Sequence, residues 1–175
     1  MIELAYNPPP SFVRRFANFV RQSEVRELEI LSGKKATPWL VVDSLIDACH
    51  SSEISVAATL GEQKYPLFVG GFVPPNDELE TALVWMTPTI YIRLARKSYC
   101  RMAEHILDHF LPKYGSLCNM VHAENQGTIK WIRRMGFTFS DTTVEVSGHE
   151  FLPFFKYAEK PICAGTMSGE SYQIH

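Results

Sequence analysis

Apolar positions recur along this chain with two different periods. Between residues 12 and 31 they fall at helical spacing: Phe12, Phe16, Phe19 and Val20, then Val25, Leu28 and Leu31. Residues three and four apart share a helix face, so this stretch predicts one amphipathic helix, capped by Ser11 and stopped at Gly33. A short apolar run, Ile2–Tyr6, closed by Asn7 and three prolines, predicts a strand before it. Thr37-Pro38 opens a second helix, with Thr as cap and Pro in the first turn, running to about His50 with Leu40, Val41 and Leu45 on one face.

Strand-like runs then take over. Residues 53–60, 65–73 and 79–87 are separated by Gly61-Glu62-Gln63 and by Pro74-Pro75-Asn76-Asp77, which predicts an antiparallel meander. Helical spacing returns over residues 92–111, where Pro112 is expected to end it. Residues 116–123 form a strongly apolar strand, followed by a short helix over 126–135 with Asn125 as cap and Gly136 as terminator. Residues 137–146 and 151–157 predict two closing strands, and the polar, Gly- and Ser-containing residues 161–175 a flexible tail. The predicted order is β-α-α-β-β-β-α-β-α-β-β: one α/β domain over residues 1–160, with a helix long enough for a parallel crossover before the strand at 116.

Composition narrows the function classes. The 175 residues suit a single core, and 46% hydrophobic with 21% charged residues is ordinary globular balance. A net charge of −2 gives no reason to expect nucleic acid or an acidic membrane as partner. No apolar run reaches membrane-spanning length, and Met-Ile-Glu-Leu-Ala-Tyr-Asn is not expected to be a signal peptide. Cys49, Cys100, Cys118 and Cys163 lack paired spacing, so neither zinc nor a disulfide framework is expected. Cys118 reads as a buried thiol, and a reducing cytoplasm as the compartment. His105 and His109 share a helix face without a third ligand, so no metal is expected. The aromatic segment 151–155 is the best sequence candidate for an exposed apolar patch that meets a partner, among them a second copy of the chain.

The sharpest motif is Asn125-Gln126-Gly127-Thr128-Ile129-Lys130-Trp131-Ile132-Arg133-Arg134-Met135-Gly136-Phe137. With the element order, this strand-Asn-helix-Gly-Phe pattern resembles the GNAT N-acetyltransferases over roughly residues 1–158, and the resemblance implies a mixed, splayed central sheet. More narrowly, Gly70-Gly71, the run 113–119 and the segment 125–137 are similar to GNAT-like internal virion proteins and acyltransferases of autographivirus-type phages. That likeness implies virion or assembly proteins as partners, and the host bacterial cytoplasm or the virion interior as setting.

The resemblance also exposes departures. The family cradles the cofactor pyrophosphate in a glycine turn before the long helix, but no glycine occurs between Phe72 and Tyr114. Arg93, Arg96, Lys97 and Ser98 stand there instead, as anion-binding side chains or as a solvated basic turn. The family's acidic Tyr, seven residues after the Asn, is Ile132 here. Asn125 is retained as a cofactor-side residue, although a helix cap alone explains it. His122, at the end of a strand, and Glu80, early in another, are the candidate general bases. Three functions follow: a catalytically degenerate assembly protein without cofactor, an acyl-CoA-dependent N-acyltransferase with a divergent pyrophosphate loop, or a small-ligand-binding protein that keeps the cleft but not the chemistry. Loss of CoA binding on replacing Arg96 and Lys97 separates the first two.

Overall fold

Strand-forming runs and helical stripes segregate along the chain, and the fold stacks them as a sheet with helices on both faces. It is known from a computed structural model, which describes residues 1–77 and 79–158. The predicted tail over 161–175 and Cys163 lie outside those residues.

β1 (Ile2–Tyr6), β2 (Ile54–Leu60), β3 (Tyr65–Val73) and β4 (Ala82–Pro88) pair antiparallel in chain order. β5 (Ser116–His122) joins β4 in parallel, and β8 (His149–Tyr157) returns antiparallel on β5. Two short strands, β6 (Thr138–Phe139) and β7 (Val144–Val146), pair with β8. The sheet is mixed and open, in the order β1-β2-β3-β4-β5-β8-β6.

One junction differs from the rest. β3 and β4 stay in register from Phe68↔Pro88 to Val73↔Leu83, but β4 and β5 pair only at Ala82↔Leu117 and Leu83↔Cys118. Beyond them the Asn119 side chain is inserted: its amide donates to the Val84 carbonyl at 2.8 Å. A side chain thus takes the place of the next ladder bond, and the C-terminal halves of the two strands part.

The faces are covered unequally. α1 (Pro10–Ala17) and α3 (Pro38–Ser51) bury Val13, Phe16, Val41 and Leu45 against Ala57 and Val69. α4 (Arg96–Tyr114) and α5 (Gln126–Arg134) cover the other face with the larger core, including Phe68, Phe72, Phe110, Leu117 and Ile132. Gly71 permits one close approach: a Cβ there would stand 2.6 Å from Ser52 Oγ, the atom that accepts the Trp85 indole N–H at 2.8 Å.

Several boundaries differ from the sequence expectation. The single helix expected over 12–33 is two, α1 and α2 (Gln22–Ser32). Between them Val20 forms a lone antiparallel bridge with Thr89, and Ile90 N–H donates to the Phe19 carbonyl at 2.9 Å. Periodicity runs through the break because both helices and the link bury the same side, which spacing alone does not report. Ser11 is not the cap of α1: Pro9 occupies that position with no side-chain bond, and Pro10 starts the helix. Thr37 does cap α3, accepting from Leu40 N–H at 3.1 Å. α4 is preceded by a 3-10 helix, Ile90–Ala95, and runs through Pro112 to end at Gly115, φ 72°. The expected strand 137–146 is interrupted, since its middle turns away from β8. The segment 151–155 is not an exposed patch, because Phe151 and Phe154 are core residues. Cys118 is half-buried rather than buried.

Candidate functional site

The parting of β4 and β5 opens a cavity of about 970 Å3 that passes between the strands and reaches both faces of the sheet. Its position follows from topology. Parallel strands expose their C-terminal ends together, and side chains from loops and helix starts collect there.

One wall is basic. The 3-10 helix and the first turn of α4 contribute Arg93, Arg96 and Lys97, and the outer side of α5 contributes Lys130 and Arg134, all exposed. The chain reaches this wall through Thr89, whose buried hydroxyl donates to the Pro66 carbonyl, with the Leu67 carbonyl at 3.2 Å, and accepts from Tyr91 N–H at 3.2 Å. The glycine turn of the resembled family is thus replaced by a hydrogen-bonded 3-10 helix. Any anion here meets the exposed side-chain cations Arg93, Arg96 and Lys97.

The opposite wall is α2, which runs across the C-terminal ends of β4 and β5. Arg21, its N-cap, donates its backbone N–H to the Pro88 carbonyl at 3.4 Å. The Arg21 guanidinium pairs with Glu24 and donates to Thr128 Oγ1 on α5 at 3.1 Å, spanning the cavity from α2 to α5. One turn on, Glu27 Oε1 accepts from Asn125 Nδ2 at 2.9 Å and from His122 N–H at 3.2 Å. Burial pushes the Glu27 carboxyl above its ordinary value, and the nearby Glu24 carboxylate adds to this against the Asn125 bond. A carboxyl tuned upward in a cleft has the character of a general base.

Between the walls lie two aromatic residues. Tyr99 of α4 is buried and stacks on Trp131 of α5 at 5.4 Å. Its hydroxyl donates to Met86 Sδ at 2.7 Å, a weak acceptor, and burial holds the phenol well above its usual value, so it stays protonated. Two buried donors in this cavity, Arg21 Nε and Trp131 Nε1, have no partner among the described residues. An unpaired buried N–H costs about 1–3 kcal/mol, so each of the two calls for an acceptor atom from water or a ligand.

Of the residues singled out in the sequence, Arg96 and Lys97 line the opening, while Ser98 is exposed and outside it. Asn125 caps α5 through Thr128 N–H at 3.4 Å and holds Glu27; its side chain is not part of the cavity wall. His122 is 4% exposed, with its ring turned from the cavity toward His149 (Nε2 to Nδ1, 3.4 Å) and Phe151, and its backbone N–H serves Glu27. Glu80 is not brought to the site. It is exposed in the bend before β4, at the end of the strand away from the splay. Sequence reasoning missed Arg21, Glu24, Glu27 and Tyr99. The available signal was Glu24 and Glu27 lying on the same helical arc as Leu28 and Leu31. Among the described residues no three His, Cys, Asp or Glu side chains converge as a metal site, and no helix is long and apolar enough to cross a membrane.

No family model matches the sequence, and no curated protein sequence matches it significantly. The fold does match solved structures. A ribosomal-protein-S5-alanine acetyltransferase from Vibrio fischeri aligns with TM-score 0.64 at 11% identity, over 91% of this chain and 96% of that one. Spermidine N-acetyltransferase from Vibrio cholerae, solved with CoA and spermine, aligns with TM-score 0.62 at 11% identity, over 89% and 95%. A GNAT-family acetyltransferase from Bacillus anthracis aligns with TM-score 0.63 at 8% identity, over 88% and 92%. The chain therefore has the GNAT acetyltransferase fold, and at these identities the likeness extends to fold alone.

Proposed function

We propose that this protein is an acyl-CoA-dependent N-acyltransferase whose cofactor is held by side chains. The observation that carries this reading is the polarity of the cavity at the β4–β5 splay, with cations at one opening and a half-buried, upward-tuned carboxyl on the other wall. The fit to CoA rests on the basic group Arg93, Arg96, Lys97, Lys130 and Arg134 for the phosphates, and on the unpaired Arg21 Nε and Trp131 Nε1 for carbonyl oxygens deeper in. Acyl-CoA supplies the activated acyl group.

The residues of this chain supply proton handling and exclusion of water. An amine on the α2 side forms the N–C bond as the thioester C–S bond breaks. Glu27 takes the proton released by the amine and passes it to solvent. The Tyr99 hydroxyl donates a hydrogen bond to the departing sulfur without giving up its proton, and solvent supplies the proton that completes the free thiol. Asn125 and the His122 N–H hold Glu27 in place rather than reacting. Where the resembled family places an acidic Tyr on α5, this reading has Tyr99 on α4 as a hydrogen-bond donor to the sulfur, its ring stacked on Trp131 of α5.

The test is titration of CoA and acetyl-CoA into the purified protein, read by calorimetry and melting temperature. A ligand that binds only the folded state stabilises it by about 2.7 kcal/mol at a hundredfold excess over Kd. The expected result is a saturable shift that the double variant R96E/K97E weakens. No shift at millimolar CoA overturns this reading and leaves the degenerate alternative, an assembly protein of virion type on an acetyltransferase scaffold.

A further inference from the structure

We infer that the acceptor is a monoamine carried on an apolar body, admitted along α2 with its nitrogen toward the splay. This rests on the acyltransferase reading and names its second substrate. α2 turns Glu24, Glu27, Leu28 and Leu31 to the cavity, positions spaced i, i+3, i+4 and i+7 and therefore on one face. The face is ordered. Its N-terminal part is acidic and lies by the ends of β4 and β5, and its C-terminal part is apolar and reaches the surface, where Leu31 is 48% exposed.

Charge counting gives one ammonium. Glu24, 10% exposed, is already neutralised by Arg21. Glu27 takes only neutral donors, from Asn125 and the His122 backbone, and its Oε2 has no partner among the described residues. One carboxylate is thus left for a cation. Opposite Leu28 and Leu31, α3 contributes Val41, Leu45 and Ala48, with Ser44 as the polar group. A second cation on the acceptor would lie against these apolar side chains with no carboxylate beside it, since Glu24 and Glu27 are the acidic residues of the lining. An alkyl or aryl body there displaces water from apolar surface instead. The amine arrives at Glu27 while the body stays outward, the direction needed for the nitrogen to meet a thioester in the splay.

The experiment compares hexylamine with 1,5-diaminopentane, which match in reach and differ in the second cation. With acetyl-CoA as donor, hexylamine is expected to have a kcat/KM at least about tenfold higher. L31E, a surface change verified by an unchanged melting temperature, is expected to raise the KM for hexylamine by about tenfold with kcat retained, and to close the gap to the diamine. The same two amines are compared by their melting shifts on CoA-saturated protein, which reads binding without turnover. Equal shifts, zero included, or a diamine preferred by the wild type, overturn the inference. Absence of CoA binding overturns the acyltransferase reading itself, whereas CoA binding without amine discrimination overturns only this one.

Discussion

The two walls of the cavity are built from opposite materials. The α4–α5 wall sets five cations at its rim and a stacked Tyr99–Trp131 pair inside, whereas the α2 wall sets two carboxylates inside and leucines at its rim. The walls also differ in how firmly their charges are fixed. Those on α4 and α5 are exposed, long side chains in water, screened by salt over roughly 8–10 Å. Those on the α2 wall are half-buried, with Arg21 tied to Thr128 and Glu27 to Asn125 and the His122 backbone. A mobile cationic rim suits a large anionic ligand met in several geometries. A fixed carboxyl suits one proton moved at one place. The contrast gives the site a direction, with cations on one side, carboxylates on the other, and the two-residue junction of β4 and β5 between them; in the proposed reaction the anionic donor takes the first side and the amine the second.

The largest expected effect comes from removing the fixed charge. E27Q keeps an acceptor for Asn125 and the His122 N–H but takes no proton, so acyl transfer at neutral pH is expected to fall by about 10²–10⁴-fold with CoA affinity nearly unchanged. Its stability is expected to move the other way. Because the carboxyl is raised in the folded state, the folded protein holds more protons than the unfolded chain between the ordinary and the raised value. Wild-type stability therefore falls as pH rises through that window, and E27Q is expected to lack this slope in melting curves taken across it. Wild-type turnover is expected to rise with pH over the same window, as the base becomes ionised.

Next comes the rim. R96E/K97E is expected to weaken CoA by about tenfold at low salt, and the difference should shrink as ionic strength rises, since exposed charges contribute only about 0.2–1 kcal/mol each. If the loss is independent of salt, these charges are not the screened rim described here. The smallest effect is at the aromatic floor. W131F keeps the stacking on Tyr99 but removes an unpaired buried donor, so stability should hold or rise slightly while CoA loses about 1 kcal/mol, measured by calorimetry. A loss of stability without loss of binding would mean that the indole N–H serves the fold instead.

Much of the fold was legible because its signals are local. The Thr37 cap, the Asn125 cap and the Gly136 turn (φ 79°) are each a few residues of chain, and the meander is punctuated by Gly, Pro and Asn. The parted strands were not derivable from periodicity. They depend on Asn119 reaching Val84, a contact across 35 residues. The break at residues 18–21 was hidden for a related reason, since a link pinned to Thr89 keeps the burial pattern of a helix. For the site, Arg96 and Lys97 could be located from their place at the helix start. Glu27 could not, because a carboxylate next to Leu28 on an amphipathic helix reads as a flank until the ends of two distant strands arrive beside it. His122 shows the converse: a strand-end histidine near the splay whose ring faces away and whose backbone contributes to the site.

The central claim is that donor and acceptor meet across the β4–β5 junction, and a joined ligand tests it most directly. A conjugate of CoA linked through an acetyl spacer to hexylamine should bind at least about a hundredfold tighter than CoA alone by calorimetry, because the second contact becomes intramolecular, and L31E should remove much of that gain. A conjugate that binds no tighter than CoA, or a gain unaffected by L31E, would contradict the account, since the amine arm would then lie outside the path along α2.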